Sequence, residues 1–314
     1  MEHPPMALYL TNADVQRLLP MEACVSVLED LFQQESRGLV ENIARQRRRY
    51  GRAGSTLMGG AVLGSGAYGV RHSNVTVLYS TDTGKLEAIL EPGTLAWIRT
   101  GAASGVAVKY MSKPDAGVVG IIGTGRQAVT QLEAIATVRT IRQAKVYART
   151  EETRRQFAAQ MRDRLGLDVV PVDSSEAAVR GSDIVVAITS AREPVFDGSL
   201  LEPGTCVVAA GSNSYAKREV DDTTIERAAL IAVDNLEQAK IECGELISAA
   251  DRGVFRWGQA VELHEVVSGR VAGRSSDDAI TLFESQGIGI EDVAASAYVL
   301  QQARAAGIGV ELPF

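Results

Sequence analysis

The chain has 314 residues, 46% hydrophobic and 23% charged, a balance that excludes disordered, collagen-like and coiled-coil classes. A formal net charge of −7 argues against nucleic-acid binding as the main activity. The longest apolar runs, such as 118–123 and 206–211, are far short of the roughly 20 residues needed to span a bilayer, so no membrane association is expected.

The opening MEHPPMALYL has no basic segment followed by an apolar stretch, so no secretory signal is expected. Residues 12–38 carry apolar positions at helical spacing (Val15, Leu18, Leu19, Val25, Leu28, Phe32), opened by Thr11 and Asp14 as caps. An arginine-rich extended piece follows at 45–52, with Arg45, Arg47 and Arg49 expected on one face. Strand-like segments at 55–58, 67–71, 76–79 and 86–90 are separated by glycine-rich turns. Thr100 is expected to cap a helix running to about Met111, which Lys113-Pro114-Asp115 ends.

From Gly117 the pattern changes to short apolar strands alternating with helices: strands at 118–122, 145–147, 168–172, 184–188, 206–210 and 230–233, with helices at 127–138, 150–165 and 174–179 among them. That alternation predicts a parallel sheet covered on both faces, an α/β class. A last helix is expected over 289–306, packing back on the N-terminal half. Three widely spaced cysteines (Cys24, Cys206, Cys243) suit a reducing cytoplasm. Three histidines (His3, His72, His264) with no Cys/His cluster leave no metal site to expect.

The sharpest motif is Gly120-Ile-Ile-Gly-Thr-Gly-Arg-Gln-Ala128, a GxGxxA pattern between an apolar strand and a helix. Gly123 permits the tight turn, Gly125 lets backbone approach a pyrophosphate, and the small Ala128 lets helix and strand pack closely. Backbone amides from Thr124, Arg126 and Gln127 onward then face the phosphates. A site that prefers NAD usually ends its second strand with a carboxylate for the ribose 2′-hydroxyl. Here that position reads Tyr147-Ala-Arg149-Thr150, with no carboxylate until Glu151. Arg149 is suited to a 2′-phosphate and Thr150 to a further hydrogen bond, so NADP(H) is favoured and NAD(H) remains possible. Thr189 and Ser190, ending the fourth strand, are expected beneath the nicotinamide or ribose, a plain turn being the competing reading.

With these motifs in view, the chain resembles the ornithine cyclodeaminase/μ-crystallin family. The resemblance is carried by Leu57-Met58, Arg99-Thr-Gly-Ala-Ala-Ser-Gly105, Gly123-Thr-Gly-Arg-Gln-Ala128, Gly211-Ser-Asn-Ser-Tyr-Ala-Lys-Arg-Glu-Val220, Val233-Asp234 with Gln238-Ala and Gly244-Glu245, and Thr281-Leu-Phe-Glu-Ser-Gln-Gly287 followed by Ile290-Glu-Asp292. These stretches occur in family order over nearly the whole chain. The resemblance implies a Rossmann-type NAD(P)-binding domain at 113–292 and a β-rich substrate and dimerisation domain at 1–112, completed by 293–314. It also implies a homodimer, a small amino- or imino-acid substrate and a cytoplasmic enzyme.

Family members use the arginine at the Arg99 position on the substrate carboxylate, a task suited to a bidentate guanidinium. A second carboxylate-binding arginine precedes the methionine of the Leu-Met pair, which selects Arg45, or Arg47 after a slip of one or two residues. Cyclodeaminases place a lysine where Arg71 stands and an aspartate where Asn213 stands. Arginine stays protonated and asparagine accepts no proton, so both departures count against cyclodeamination and leave hydride transfer intact. Arg71 and Asn213 are therefore expected to orient the reacting group. His72 reads as a surface residue. Glu219, Glu245 and Asp292 read as helix starts or caps, Trp97 as core or interface, and Cys206 as inert core. The implied activity is NAD(P)H-dependent reduction of a small α-imino acid, or the reverse amino-acid dehydrogenation. Ornithine cyclodeamination and non-catalytic binding of a small ligand stay as alternatives.

Overall fold

A computed structural model describes residues 6–313; residues 1–5, with His3 and half of the segment read for a secretory signal, and Phe314 lie outside the described residues. In chain order the elements are β1 (Ala7–Leu10), α1 (Asn12–Leu18), α2 (Met21–Ser36), β2 (Val40–Tyr50), β3 (Ala53–Val62), β4 (Ala67–His72), β5 (Val75–Ser80), β6 (Leu86–Leu90) and α3 (Pro92–Met111). Next come β7 (Val118–Ile122), α4 (Arg126–Val138), β8 (Gln143–Tyr147), α5 (Glu151–Leu165), β9 (Asp168–Pro171), α6 (Ser175–Val179), β10 (Ile184–Ala187) and β11 (Cys206–Ala209). The chain ends with α7 (Asp222–Arg227), β12 (Ala228–Val233), α8 (Leu236–Glu242), α9 (Gly244–Asp251), β13 (Ala260–Glu262), α10 (Leu263–Val267), β14 (Ile280–Glu284), α11 (Gly289–Ala306) and β15 (Val310–Leu312).

Two compact units result: one runs to Arg99 and resumes at Ile288, the other covers Thr100 to Gly287. These breaks differ from those expected at 112/113 and 292/293, because α3 is one unbroken helix that begins in the first unit and ends in the second. Thr100 does not cap that helix. It lies buried in the interior, and the helix starts at Pro92, where the Asn12 side chain accepts the Thr94 N–H at 2.7 Å. A cap supplied from 82 residues away leaves no local trace. The helical pattern at 12–38 is likewise two helices: Pro20, extended at ψ 151, is the N-cap of α2 and breaks the run. Thr11 and Asp14 do form a capping box at α1.

The first unit carries a seven-stranded sheet in the order β15-β1-β6-β5-β4-β3-β2, antiparallel except for β1 on β6. On β2 the register slips between Ile43 and Gln46, so Ala44 and Arg45 together oppose Met58 on β3. Met58 in turn pairs with Arg71 on β4. Helix α11 packs on β3, β4, β2 and α2, as its sequence pattern suggested. Its first turn comes so close to β3 that a Cβ at Gly289 would lie 2.2 Å from the Gly59 nitrogen, and a Cβ at Gly59 would lie 2.2 Å from the Gly69 carbonyl oxygen. Only glycine fits at these two points.

The second unit carries an eight-stranded parallel sheet ordered β13-β12-β14-β11-β10-β7-β8-β9. The chain runs outward from β7 through β8 and β9, then returns to the other side of β7 at β10. The order therefore reverses between β7 and β10, where open α/β sheets bind ligands at their carboxyl ends. This is a Rossmann-type arrangement, and its strands and first helices fall where the sequence pattern puts them. Strand β14 went unrecognised as a strand, although Ile280, Leu282 and Phe283 are all buried in it. It inserts between β11 and β12, late in the chain, with no helix and strand alternation to announce it.

Substituting Gly289→Ala should cost about 1–3 kcal/mol, because the added methyl must displace backbone rather than a mobile side chain. Urea denaturation of the variant against the parent checks this; an unchanged midpoint would mean that α11 does not need this approach.

Candidate active site

In the second unit, β7 ends in the turn expected from the glycine motif. Gly123 has φ +114, and a Cβ there would sit 2.3 Å from the Ile188 carbonyl oxygen at the end of β10. No side chain fits, so the turn can hug the strand across the reversal point. Gly125 is the N-cap of α4, extended and without a side-chain cap, and the space where its Cβ would point is open. The first turn of α4 has no acidic residue. Ala128 is fully buried and lets the helix lie close to the sheet, while Thr124 and Gln127 are half-buried and Arg126 is exposed. An open cradle of backbone at the positive end of a thirteen-residue helix fits a dinucleotide pyrophosphate.

Arg149 and Thr150 follow β8 and are both exposed. The segment is braced from behind by buried Arg154, which bonds the Ala148 carbonyl at 3.2 Å and Asp173 at 2.5 Å. Glu151, the nearest carboxylate, is paired with Arg155 at 2.6 Å. The end of β8 therefore presents a cation and a hydroxyl.

The carboxyl ends of β10 and β11 are tied together by a residue read from sequence only as a helix start or cap. Glu219 caps nothing. Its Oε1 accepts the Thr189 N–H at 2.5 Å and its Oε2 accepts the Gly211 N–H at 2.6 Å, while its own N–H donates to Glu245 at 2.7 Å. A Cβ on Gly211 would strike both the Thr189 backbone and Glu219. Ser190, beyond Thr189, and Asn213, two residues past Gly211, are exposed on the loops so held. Behind Glu219, Glu245 and Glu284 converge on the Cys243 thiol at 3.9 and 3.6 Å. Burial pushes Glu219 up to about 7 and raises Glu245, burial with repulsion from Glu245, Glu219 and Asp234 raises Glu284, and the Cys243 thiol is raised by burial and by Glu284 and Glu245. Cys243, Glu245 and Glu284 could by position hold a metal ion. Their shifts favour protonated, hydrogen-bonding groups instead of the deprotonated ligands a cation requires.

In the first unit, three of the arginines singled out from the sequence part company. The bulge on β2 turns Arg45 inward, 8% exposed, with its Nε 3.4 Å from the Met58 sulfur. Arg47 and Arg49 are exposed, so the three do not share one buried face. Because Arg45, Met58 and Arg71 occupy facing positions on β2, β3 and β4, the Arg71 side chain lies in the same row. Arg99 is in the interior of α3, not at a helix start, and is 4% exposed. It bonds Glu291 at 2.8 Å and Asp292 at 3.2 Å, and Asp292 also lies 3.5 Å from Arg71. Both carboxylates are fully buried in the first turn of α11, where the helix end favours negative charge. Asp292 thus does more than cap: it aims two arginines. Of the paired groups, Arg71 is the one that reaches the surface, its side chain 23% exposed against 5% for Arg99. His72, next to Arg71, is exposed on the other face of β4.

Sequence reasoning missed the roles of Glu219, Glu291 and Asp292. The partners of Glu219 lie 8 and 30 residues away, and those of Glu291 and Asp292 more than 190, so no local spacing reveals them. No helix among the described residues is long and apolar enough to cross a membrane.

The sequence model of the ornithine cyclodeaminase/mu-crystallin family matches residues 6–307. A Δ1-pyrroline-2-carboxylate reductase of Bacillus cereus is 35% identical over 243 residues, 77% of this chain and 74% of the relative. The solved Δ1-pyrroline-2-carboxylate reductase of Thermococcus litoralis, in complex with NADH and L-proline, superposes with a TM-score of 0.92 at 31% identity, over 97% of this chain and 100% of that one. An archaeal alanine dehydrogenase dimer with bound NAD gives a TM-score of 0.91 at 30% identity, over 98% and 99%.

The raised carboxyls set the direction of a stability profile. Glu219 folds with its pKa above the ordinary 4.5, so the stability it contributes is complete below about 4.5 and is lost as pH rises through about 7. The loss is on the order of 2 kcal/mol, or roughly 4–8 °C in Tm for a unit of this size. Thermal unfolding between pH 5 and 8 should show that fall, and Glu219→Gln should flatten it; a parallel slope in the variant would locate the titration elsewhere.

Proposed function

Since the chain belongs to the ornithine cyclodeaminase/μ-crystallin family, we propose that it is an NAD(P)H-dependent reductase of a small α-imino acid, such as a cyclic imine of the pyrroline-2-carboxylate type, which run in reverse is an amino-acid dehydrogenase. The observation that carries the reading is the complete dinucleotide turn at the reversal of strand order: Gly123 against Ile188, the open cradle at Gly125 and the uncapped end of α4. Relatives of this fold bind NADH with L-proline or NAD.

A nicotinamide dinucleotide, when bound, supplies the hydride. The backbone amides of residues 124–128 hold its pyrophosphate and the 189–190 segment faces its nicotinamide half. Exposed Arg149 and Thr150, with Glu151 held by Arg155, support NADP(H) over NAD(H). Arg71 grips the substrate carboxylate, oriented by Asp292 with Arg99 behind it, and Arg45 adds positive charge from the neighbouring strand. Arg47, exposed on the hairpin, has less claim to that task than Arg45. Asn213 donates or accepts a hydrogen bond at the reacting nitrogen without taking a proton. The imine reaches the site already protonated from water, so hydride addition needs positioning more than a side-chain acid.

Cyclodeamination would need a titratable nitrogen at position 71 and a base at 213, and Arg71 and Asn213 offer neither. The family fold and the dimer reported for the alanine dehydrogenase support a homodimer, and the odd number of buried, unbridged cysteines supports a cytoplasmic location.

The test follows absorbance at 340 nm with NADPH and then NADH against cyclic imines and against 2-oxo acids mixed with ammonia or methylamine. Stoichiometric loss is expected, faster with NADPH, and Arg149→Ala should remove most of that preference. A flat trace across the panel, with ammonia released from ornithine, would sink the reading. Arg71→Ala should raise KM for the imino acid by roughly 10-fold or more while leaving the cofactor KM within about twofold. Equal losses in both constants would mean Arg71 is structural.

A further inference from the structure

Glu219 poses a problem that its surroundings do not solve locally. Both of its oxygens are aimed at backbone N–H donors, Thr189 at 2.5 Å and Gly211 at 2.6 Å. That arrangement belongs to the ionised carboxylate. A protonated carboxyl carries a hydrogen on one oxygen, which then accepts far more weakly, so one of the two bonds is weakened. The site nonetheless favours the proton. Glu219 is fully buried, Glu245 lies beside it on α9, Glu284 stands at the end of β14 with Asp234 beyond it at the end of β12, and the Cys243 thiol lies between Glu245 and Glu284. Arg218, the cation next to it in the chain, is paired with Glu193 at 2.8 Å. Geometry asks for ionisation, and burial among carboxyls opposes it.

The two donors are not incidental. Thr189 follows β10 and Gly211 follows β11, and each starts a loop that the proposed function assigns to the ligand: Thr189-Ser190 on one, Gly211 to Asn213 on the other. The second loop is braced further by Gly244, where a Cβ would come within 2.0 Å of the Lys217 carbonyl oxygen, and by Val195, whose N–H donates to the Glu219 carbonyl at 2.9 Å. The Glu219 carboxylate is the link that joins the first loop to the second.

We propose that Glu219 is a positioning residue for the dinucleotide: ionised, it holds the Thr189 and Gly211 strand ends in the binding arrangement, and protonation releases one of them and weakens cofactor binding. This inference rests on the dinucleotide reading. It also separates a ligand role from a purely structural one, because the two move oppositely with pH. Stability of the unit falls as Glu219 loses its proton, whereas affinity for the cofactor rises.

The experiment is a fluorescence titration of the full chain with NADH, which has no phosphate titrating near neutrality, at intervals from pH 6 to 8.5. With binding confined to the ionised form and a midpoint near 7, Kd should rise roughly 10-fold from pH 8 to pH 6. In Glu219→Gln one amide oxygen accepts one N–H and the amide nitrogen faces the other. Its Kd should stay weak and flat across the range, near the parent's value at pH 6. Glu245→Gln keeps an oxygen to accept the Glu219 N–H but cannot ionise, so it removes the repulsion that Glu245 exerts on Glu219 as the pair titrates and should move the parent's midpoint to lower pH; this variant tests the inference even if Glu219→Gln fails to fold. A parent Kd that changes less than about twofold between pH 6 and 8 overturns the inference while leaving the oxidoreductase reading standing. So does a pH dependence that survives in Glu219→Gln or a midpoint unmoved in Glu245→Gln, which would point to another group such as His264. A parent that binds no NADH at any pH overturns both.

Discussion

Arg99, Glu291 and Asp292 lie almost wholly out of water, and moving such charges from solvent costs several kcal/mol each unless partners replace the lost hydration. Much of the first unit is arranged to supply those partners. Glycines at 289 and 60 let α11 approach the sheet, since a Cβ on Gly289 would strike the Gly59 backbone and one on Gly60 the Ile290 side chain. The helix can then set two carboxylates of its first turn against Arg99, with its own dipole favouring their charge. The bulge on β2 adds Arg45 to the same row as Met58 and Arg71. The outcome is a buried ion-pair cluster with one arginine, Arg71, near the surface. Under the proposed reading, that preformed cation would lose little freedom on binding a carboxylate.

The second unit faces the same cost with the opposite sign and meets it differently. Backbone N–H groups bond Glu219 and Glu245, the Cys243 thiol faces Glu284, and burial raises all three carboxyls. Pairing freezes charge regardless of pH, whereas proton-holding leaves it adjustable near neutrality.

Much of the fold was legible because it is written in contiguous residues. The strands of the parallel sheet are short apolar runs, the glycine turn joins one strand to the helix that follows, and 289–306 has one uninterrupted helical pattern that the structure reproduces residue for residue. The limits of α3 were not legible, since its cap is Asn12, nor was β14, whose neighbours β11 and β12 come much earlier in the chain. Within the candidate site, Arg71 and Asn213 stood out because they replace residues of known chemistry in a recognisable frame. Glu219 did not, because a glutamate in a loop looks the same whether it faces solvent or two strand ends.

The sequence by itself determined the class of fold, the position of the dinucleotide turn, the absence of a carboxylate after β8 and the loss of titratable groups at 71 and 213. All are properties of a residue and its near neighbours, set by side-chain chemistry and local periodicity. Only the tertiary structure showed that Arg45 is buried and Arg47 exposed, because a bulge shifts which side chain turns inward without changing composition. It alone joined Arg99 to Glu291 and Asp292 and Glu219 to Thr189 and Gly211. Those meetings depend on how strands register and how closely a helix approaches a sheet, and burial there sets charge states that no stretch of sequence carries on its own.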